Sequence, residues 1–312
     1  MDCFGSPYFQ RGNMKKSINT RTRDNIAATL MLSPAVILLL ITSVYPFFWL
    51  FRYVLYDYNG FKAYFTGFDN IIRMVNDTMF RDSILHTFEY ASMKLVIVIP
   101  LSLLLAVLIN SKTPGSEFFK AVFFLPTVIS AAIYSLIFSF IFAVFNGPLN
   151  GVLQQMHLIK APIDWLGNAD WVMISIVIVA VWGAIGNYMI YFLSGLTSIS
   201  TEIYESCKID GANAAQTFFK DTLPMLSPIL KVILLLALTG AFKDYESIIV
   251  MTGGGPNNRS HVMFSYIYTL IFSSNTTPQI GYATVLSIVA AMIIGLITAI
   301  YMYFARKLDD MF

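Results

Sequence analysis

Few residues in this chain could carry covalent chemistry, and their spacing argues against an enzyme. His86, His157 and His261 are scattered, with no H-E-x-x-H spacing and no neighbouring nucleophile or metal set. Cys3 and Cys207 are too few and too unlike in setting for a disulfide framework or a metal site, so both read as reduced thiols. No bound cofactor is expected. The informative polar residues lie elsewhere. Residues 202–224 read E-I-Y-E-S-C-K-I-D-G-A-N-A-A-Q-T-F-F-K-D-T-L-P, a polar, helix-turn-helix-like stretch between two long apolar segments. Its composition is that of a docking element, whose chemistry is contact. A second group sits inside apolar runs: Asn187, Tyr188 and Tyr191, then Lys243, Asp244, Tyr245 and Glu246. Ionisable groups in lipid are costly, so these should face the bundle interior, a partner or a wet cavity. The alternative is a Lys243–Glu246 pair (i,i+3) whose long side chains reach the headgroups.

The elements that hold these residues follow from composition. Apolar residues make up 57% of the 312 and charged residues 12%, against about 45–50% and about 25% in an ordinary soluble domain. The 20 basic and 18 acidic residues could not cover a soluble core of this size. A net charge of +2 gives no reason to expect a nucleic-acid partner. The apolar surplus is gathered into long runs, which points to lipid as the solvent.

Six runs are expected to span a membrane: residues 26–51, 84–109, 121–145, 172–196, 229–251 and 283–304. Each offers about 20 or more mainly apolar residues, enough at about 1.5 Å per residue to cross a hydrocarbon core of about 30 Å. Irregular backbone cannot face lipid, so the runs read as helices and the fold class as all-α. Pro34, Pro46, Pro100 and Pro126 predict bends within them. The first run follows a polar tail, is too long for a signal core and lacks a small-x-small cleavage pattern; it reads as an uncleaved anchor.

Lys and Arg set the orientation. With a cytoplasmic N-terminus the inside segments hold Arg11, Lys15, Lys16, Arg21, Arg23, Lys112, Lys120, Lys208, Lys220, Arg306 and Lys307. The outside loops hold Lys62, Arg73, Arg81, Lys160 and Arg259. This obeys the positive-inside bias, places both termini and residues 202–224 in the cytoplasm, and leaves outside loops too small to be domains. The organisation is then a cytoplasmic tail over 1–25, one transmembrane domain over 26–305 with its loop at 202–224, and a short tail over 306–312.

Within the loop, Ile203 and Cys207 fall on one helical face, while Glu202, Glu205 and Lys208 supply the polar remainder. Asp210 and Gly211 should break the helix, Asp210 as the N-cap of a second one and Gly211 by permitting a sharp turn or a close backbone approach. Ala212, Ala214 and Ala215 leave a slim surface; Phe218 and Phe219 offer apolar anchorage, and Pro224 and Pro228 mark entry to the fifth run. Periodicity alone is equally consistent with an amphipathic helix capping the bundle at the membrane surface.

The stretch resembles the EAA loop of integral-membrane permeases in ABC importers, roughly E-A-A-x-x-D-G-A-x-x-x-x-x-F-x-x-I-x-L-P. Glu205-Ser206-Cys207 stands for E-A-A, Asp210-Gly211-Ala212 matches outright, and Phe218, Leu223 and Pro224 fall at the expected spacings. Ser206 and Cys207 replace alanines with other small side chains, Asp221 stands where an apolar residue is usual, and Ser200 replaces a common proline. Further matches extend the resemblance from the second run onward. Thr252-Gly253-Gly254-Gly255-Pro256, Tyr266-Ile267-Tyr268 and Gly281-Tyr282-Ala283 look like the last outside loop and final span of maltose/glycerol-phosphate-type sugar permeases. Asn150-Gly151 and Ile163-Asp164-Trp165-Leu166-Gly167 resemble their second outside loop. The T-G-G-G-P signature favours the first of the two permeases such systems encode. It is no phosphate loop, lacking the following Lys-Ser/Thr.

The resemblance implies a type I ABC importer permease fold in a bacterial inner membrane. It implies a second permease, two ATPase subunits binding ATP and Mg, and an extracytoplasmic binding protein delivering a mono- or oligosaccharide. ATPase coupling would fall to Glu205, Asp210, Gly211, Ala212, Phe218 and Pro224, with Glu205 as the charged contact. Asn187, Tyr188, Tyr191, Tyr245 and Glu246 would line the substrate path, their amide and carboxylate oxygens bonding sugar hydroxyls and their tyrosine faces stacking on pyranose rings. A secondary transporter would need ion-coupling elements and no docking loop. A structural adaptor would leave the outside-loop signatures unexplained.

Overall fold

The computed structural model describes residues 14–110, 115–273 and 276–309, with side chains described from residue 24 to residue 307. Cys3, Arg11, Lys112 and the outer parts of both expected tails lie outside the described residues. Helix α1 (Met14–Leu39) opens the described chain, so the second half of the 1–25 segment is helical. It runs on through a π-turn, Leu40–Val44, into α2 (Tyr45–Leu50) and a 3-10 turn, Phe51–Leu55. The π-turn precedes Pro46, whose ring has no N–H to offer the preceding carbonyls; widening by one residue accommodates it. Strands β1 (Tyr56–Tyr58) and β2 (Ala63–Phe65) then form an antiparallel hairpin, with Tyr56 opposite Phe65. This is the one departure from an all-helical chain among the described residues.

Helix α3 (Asp69–Asn76) leads into α4 (Thr78–Asn110), which carries Pro100 without interruption. Helices α5 (Ser116–Val128) and α6 (Ala131–Ile141) follow, then α7 (Pro148–Gln155) and α8 (Val172–Ser198). The short helices α9 (Thr201–Ile209), α10 (Ala214–Thr217) and α11 (Leu223–Met225) precede α12 (Ser227–Lys243), α13 (Glu246–Met251), α14 (Met263–Phe272) and α15 (Ile280–Asp309).

Among the described residues four continuous helical stretches are long and apolar enough to cross a membrane: Asp24–Leu55, Thr78–Asn110, Val172–Ser198 and Ile280–Lys307. Two bent pairs qualify only together, Ser116–Val128 with Ala131–Ile141 at 98° and Ala214–Met225 with Ser227–Met251 at 70°. The chain is thus a polytopic membrane helix bundle of up to six crossings. The third run, expected as one span over 121–145, is instead sharply bent. Ile129 and Ser130 leave the helical conformation between α5 and α6, three residues after Pro126 in the last turn of α5. The fifth, expected over 229–251, is interrupted at Asp244 and Tyr245.

Helix α8 is the hub. Burial covers 67% of its most apolar window, against 0% for Asp24–Leu55. Met173, Ile176, Met189 and Phe192 of α8 pack with Tyr90 and Val98 of α4 and Ile233 of α12 in the larger core. A smaller core joins Phe80 of α4, Phe242 of α12, Met263 of α14 and Leu286 of α15. Ser102 of α4 donates to the Ile185 carbonyl of α8 at 3.0 Å, a bond across the closest-packed pair. By contrast α1 and α2 stand away from both cores, with Leu30 66% and Met31 82% exposed in α1 and Phe48 67% exposed in α2.

Candidate functional site

The residues 202–224 segment is built from local capping. Ser200 accepts from the Glu202 N–H at the start of α9, so the serine standing where proline is common still begins the helix. Ile203 is half-buried and Cys207 buried, which is the apolar face expected of α9. At the other end the Ala212 N–H bonds the Cys207 carbonyl at 2.9 Å and the Gly211 N–H bonds that of Lys208 at 3.2 Å. That pattern is a Schellman motif, and Gly211 occupies its left-handed position with φ +73°. Asp210 is the C-cap of α9 and not the N-cap of the next helix. Asn213 takes that role in a capping box, accepting from the Gln216 N–H while the Gln216 side chain accepts from its own N–H, both at 2.9 Å. The two side-chain partners lie three residues apart, a spacing that was available in the sequence.

The outcome is a tight turn that presents its tip to solvent. Glu205, Asp210 and Gly211 are exposed, Ala212 and Phe218 half-buried, and Pro224 exposed. Among the described residues a Cβ at Gly211 would meet nothing within 4 Å, so the turn explains the glycine here. Ile209, one residue before the turn, is 86% exposed, and Phe219 is 65% exposed beside it in the segment. Ile209 was missed by pattern reading, although its spacing from Ile203 and Cys207 already turns it away from their shared face.

The second expected group divides by exposure along α8. Tyr188 is buried, Asn187 half-buried, Tyr191 exposed, and Ser194 extends the open stripe by a turn. Tyr245 is half-buried and rings with Tyr268 of α14 at 5.6 Å; Glu246 is exposed. Lys243 and Glu246 do not pair. The ion pair at this level joins Asp244 to Lys94 of α4, Nζ to Oδ2 at 2.6 Å. Lys94 was not singled out from sequence, although a lysine inside an apolar run carries its own signal.

The loops at the opposite end from Gly211 are rigidly made. Asn150 accepts from Ile163 N–H and Trp165 Nε1, both at 3.1 Å, and donates to the Ile163 and Ala143 carbonyls. The Asn150 and Ile163–Gly167 motifs are therefore two halves of one staple. In the glycine-rich turn, Gly254 has φ +95° and its missing Cβ would overlap the His261 ring. Ser260 bonds Thr252 and the Gly255 carbonyl, and Arg259 forks onto Glu89 of α4 at 2.6 and 2.8 Å. Burial pushes the His261 imidazole down to about 4, helped by the charge of His86. No group of His, Cys, Asp and Glu able to hold a metal occurs among the described residues.

Residues 98–310 match the family described as binding-protein-dependent transport system inner membrane component. The multiple sugar-binding transport system permease protein MsmF of Streptococcus mutans is 31% identical over 88% of this chain and 94% of its own length. The lactose transport system permease protein LacF of Rhizobium radiobacter is 30% identical over 89% and 93%. A crystal structure of a bacterial ABC transporter involved in import of the acidic polysaccharide alginate superposes with a TM-score of 0.80 at 24% identity, covering 94% of this chain and 99% of that one. The chain therefore has the type I ABC importer permease fold. It belongs to the family of binding-protein-dependent transport system inner membrane components, non-catalytic membrane permeases of ABC importers.

Proposed function

We propose that this chain is one of two permease subunits in a bacterial sugar importer, with residues 202–224 as its seat on an ATPase. The observation that carries the reading is the solvent-facing α9–Gly211–α10 turn. It sets an exposed carboxylate, Glu205, an exposed apolar tip, Ile209, and a glycine with open space around it on one short element. Asp210, Ala212, Phe218 and Pro224 complete that seat. The bulk-free turn suits a partner whose backbone comes close, and ATP and Mg belong to that partner. A helix as exposed as α1 suits packing against a second permease as well as lipid.

A mono- or oligosaccharide passes along Asn187, Tyr188, Tyr191, Tyr245 and Glu246, handed over by an extracytoplasmic binding protein at the Asn150 and Gly254 loops. The names of the relatives support a sugar; a polyol or glycerol phosphate is the next class to try. The Lys/Arg bias puts the Gly211 turn and both termini in the cytoplasm of a cell whose inner membrane houses the chain. The test is uptake of radiolabelled saccharides by proteoliposomes holding this chain with its neighbouring permease and ATPases. Uptake should require both ATP and the binding protein; ATP-independent uptake would overturn the reading. Impermeant reagent should reach a cysteine at Asn258 and not one at Lys307, and the reverse pattern would invert the topology.

A further inference from the structure

Lys94 lies within the apolar stretch of α4 and is only 8% exposed. Its ammonium meets Asp244 Oδ2 at 2.6 Å, and Tyr90, one turn earlier on α4 and fully buried, donates to that same oxygen at 2.6 Å. Asp244 is where α12 stops. Its ψ of 133° and the φ of −152° at Tyr245 take the backbone out of the helix for two residues before α13 resumes. Irregular backbone at membrane depth survives only when buried in protein or lining a wet cavity. Here one side is protein, since Asp244 is held by α4. The other side is open, since Glu246 is exposed. Beyond the turn, Ser135 of α6 donates to Ser247 at 3.0 Å, so the start of α13 is fastened to α6.

A buried ion pair is weak evidence for stability, because apolar residues of similar volume in its place are often neutral or stabilising. What such a pair can do is select one arrangement of the backbone that carries it. We propose that Lys94 is a positioning residue. Through Asp244 it holds the 244–245 turn so that Tyr245 and Glu246 face the aqueous path, and Tyr90 fixes the carboxylate that transmits the constraint. This rests on the reading of that turn as part of the path.

The test measures access of water to position 246 in the assembled importer in proteoliposomes. Cys3 and Cys207 are replaced by serine, Glu246→Cys is introduced, and its rate of modification by a small anionic methanethiosulfonate is followed. The native Lys94 and Lys94→Arg backgrounds should label at similar rates. Lys94→Met should label about tenfold more slowly, the loss expected if the water-facing arrangement falls to a tenth of the population. Lys94→Met with Asp244→Leu removes both charges and keeps the volume, so it guards against simple misfolding. Assembled normally yet still slow to label, it supports positioning. Labelling at the native rate in that double variant overturns the proposal and leaves the path reading intact. No labelling in any background overturns the path reading and the proposal with it.

Discussion

Gly211→Val tests the docking assignment most sharply. Gly211 sits at φ +73° in the Schellman turn, a conformation that costs an L residue about 1–2 kcal/mol and a β-branched one more. That cost falls on the two bonds that close α9, from Gly211 to Lys208 and from Ala212 to Cys207. A penalty of this size lowers the population of the native turn by about 5- to 30-fold. It does not threaten the subunit itself, because a Cβ at Gly211 would touch nothing within 4 Å and the turn lies outside both cores. The subunit should insert normally while uptake is abolished. Gly211→Asn separates the two causes, since asparagine enters the left-handed region readily but still adds bulk. If close seating on the ATPase matters, the asparagine variant also loses transport, although its turn is intact. The assay is uptake beside binding-protein-stimulated ATP hydrolysis and ATPase co-purification in reconstituted vesicles. Hydrolysis should be lost, or persist without driving uptake. Native coupling in Gly211→Val would refute the reasoning.

Two further outcomes are expected. Asn187→Ala and Tyr191→Ala should each reduce uptake by about 2- to 10-fold, the worth of a hydrogen bond, with unchanged membrane levels and ATPase binding; loss through depletion of the subunit would indicate a packing role. His261 is buried neutral with its pKa lowered to about 4. The unfolded chain, titrating near 6.5, binds more protons below that pH, so the contribution is complete above about 6.5 and fades as pH falls toward about 4. Between about pH 7 and pH 5 thermal unfolding in detergent should show a loss of about 2 kcal/mol from this residue. His261→Gln should flatten that slope, and an unchanged slope would count against the assignment.

The class of this protein was legible along the chain. Apolar runs of spanning length are one-dimensional facts, because lipid demands that each segment satisfy its own backbone. The Asp210-Gly211 turn was equally local, since a left-handed position after a helix selects glycine without help from elsewhere. Local reading erred where two nearby signals competed. Asp210 and Asn213 are both able caps, and the Gln216 partner decided for Asn213. What the chain could not disclose were relations between distant segments. The 98° bend after Pro126 and the interruption at Asp244 place backbone out of helix, and only neighbouring helices make that tolerable. Lys94 and Asp244 stand 150 residues apart, and Asn150 fastens a loop to the bundle through a tryptophan 15 residues on. Exposure within α9 was local as well: Ile203 and Cys207 share a face and are covered, while Ile209 falls on the other side and stays in water. A side chain's partners across the bundle are set by where whole helices come to rest, which no periodicity within one helix encodes.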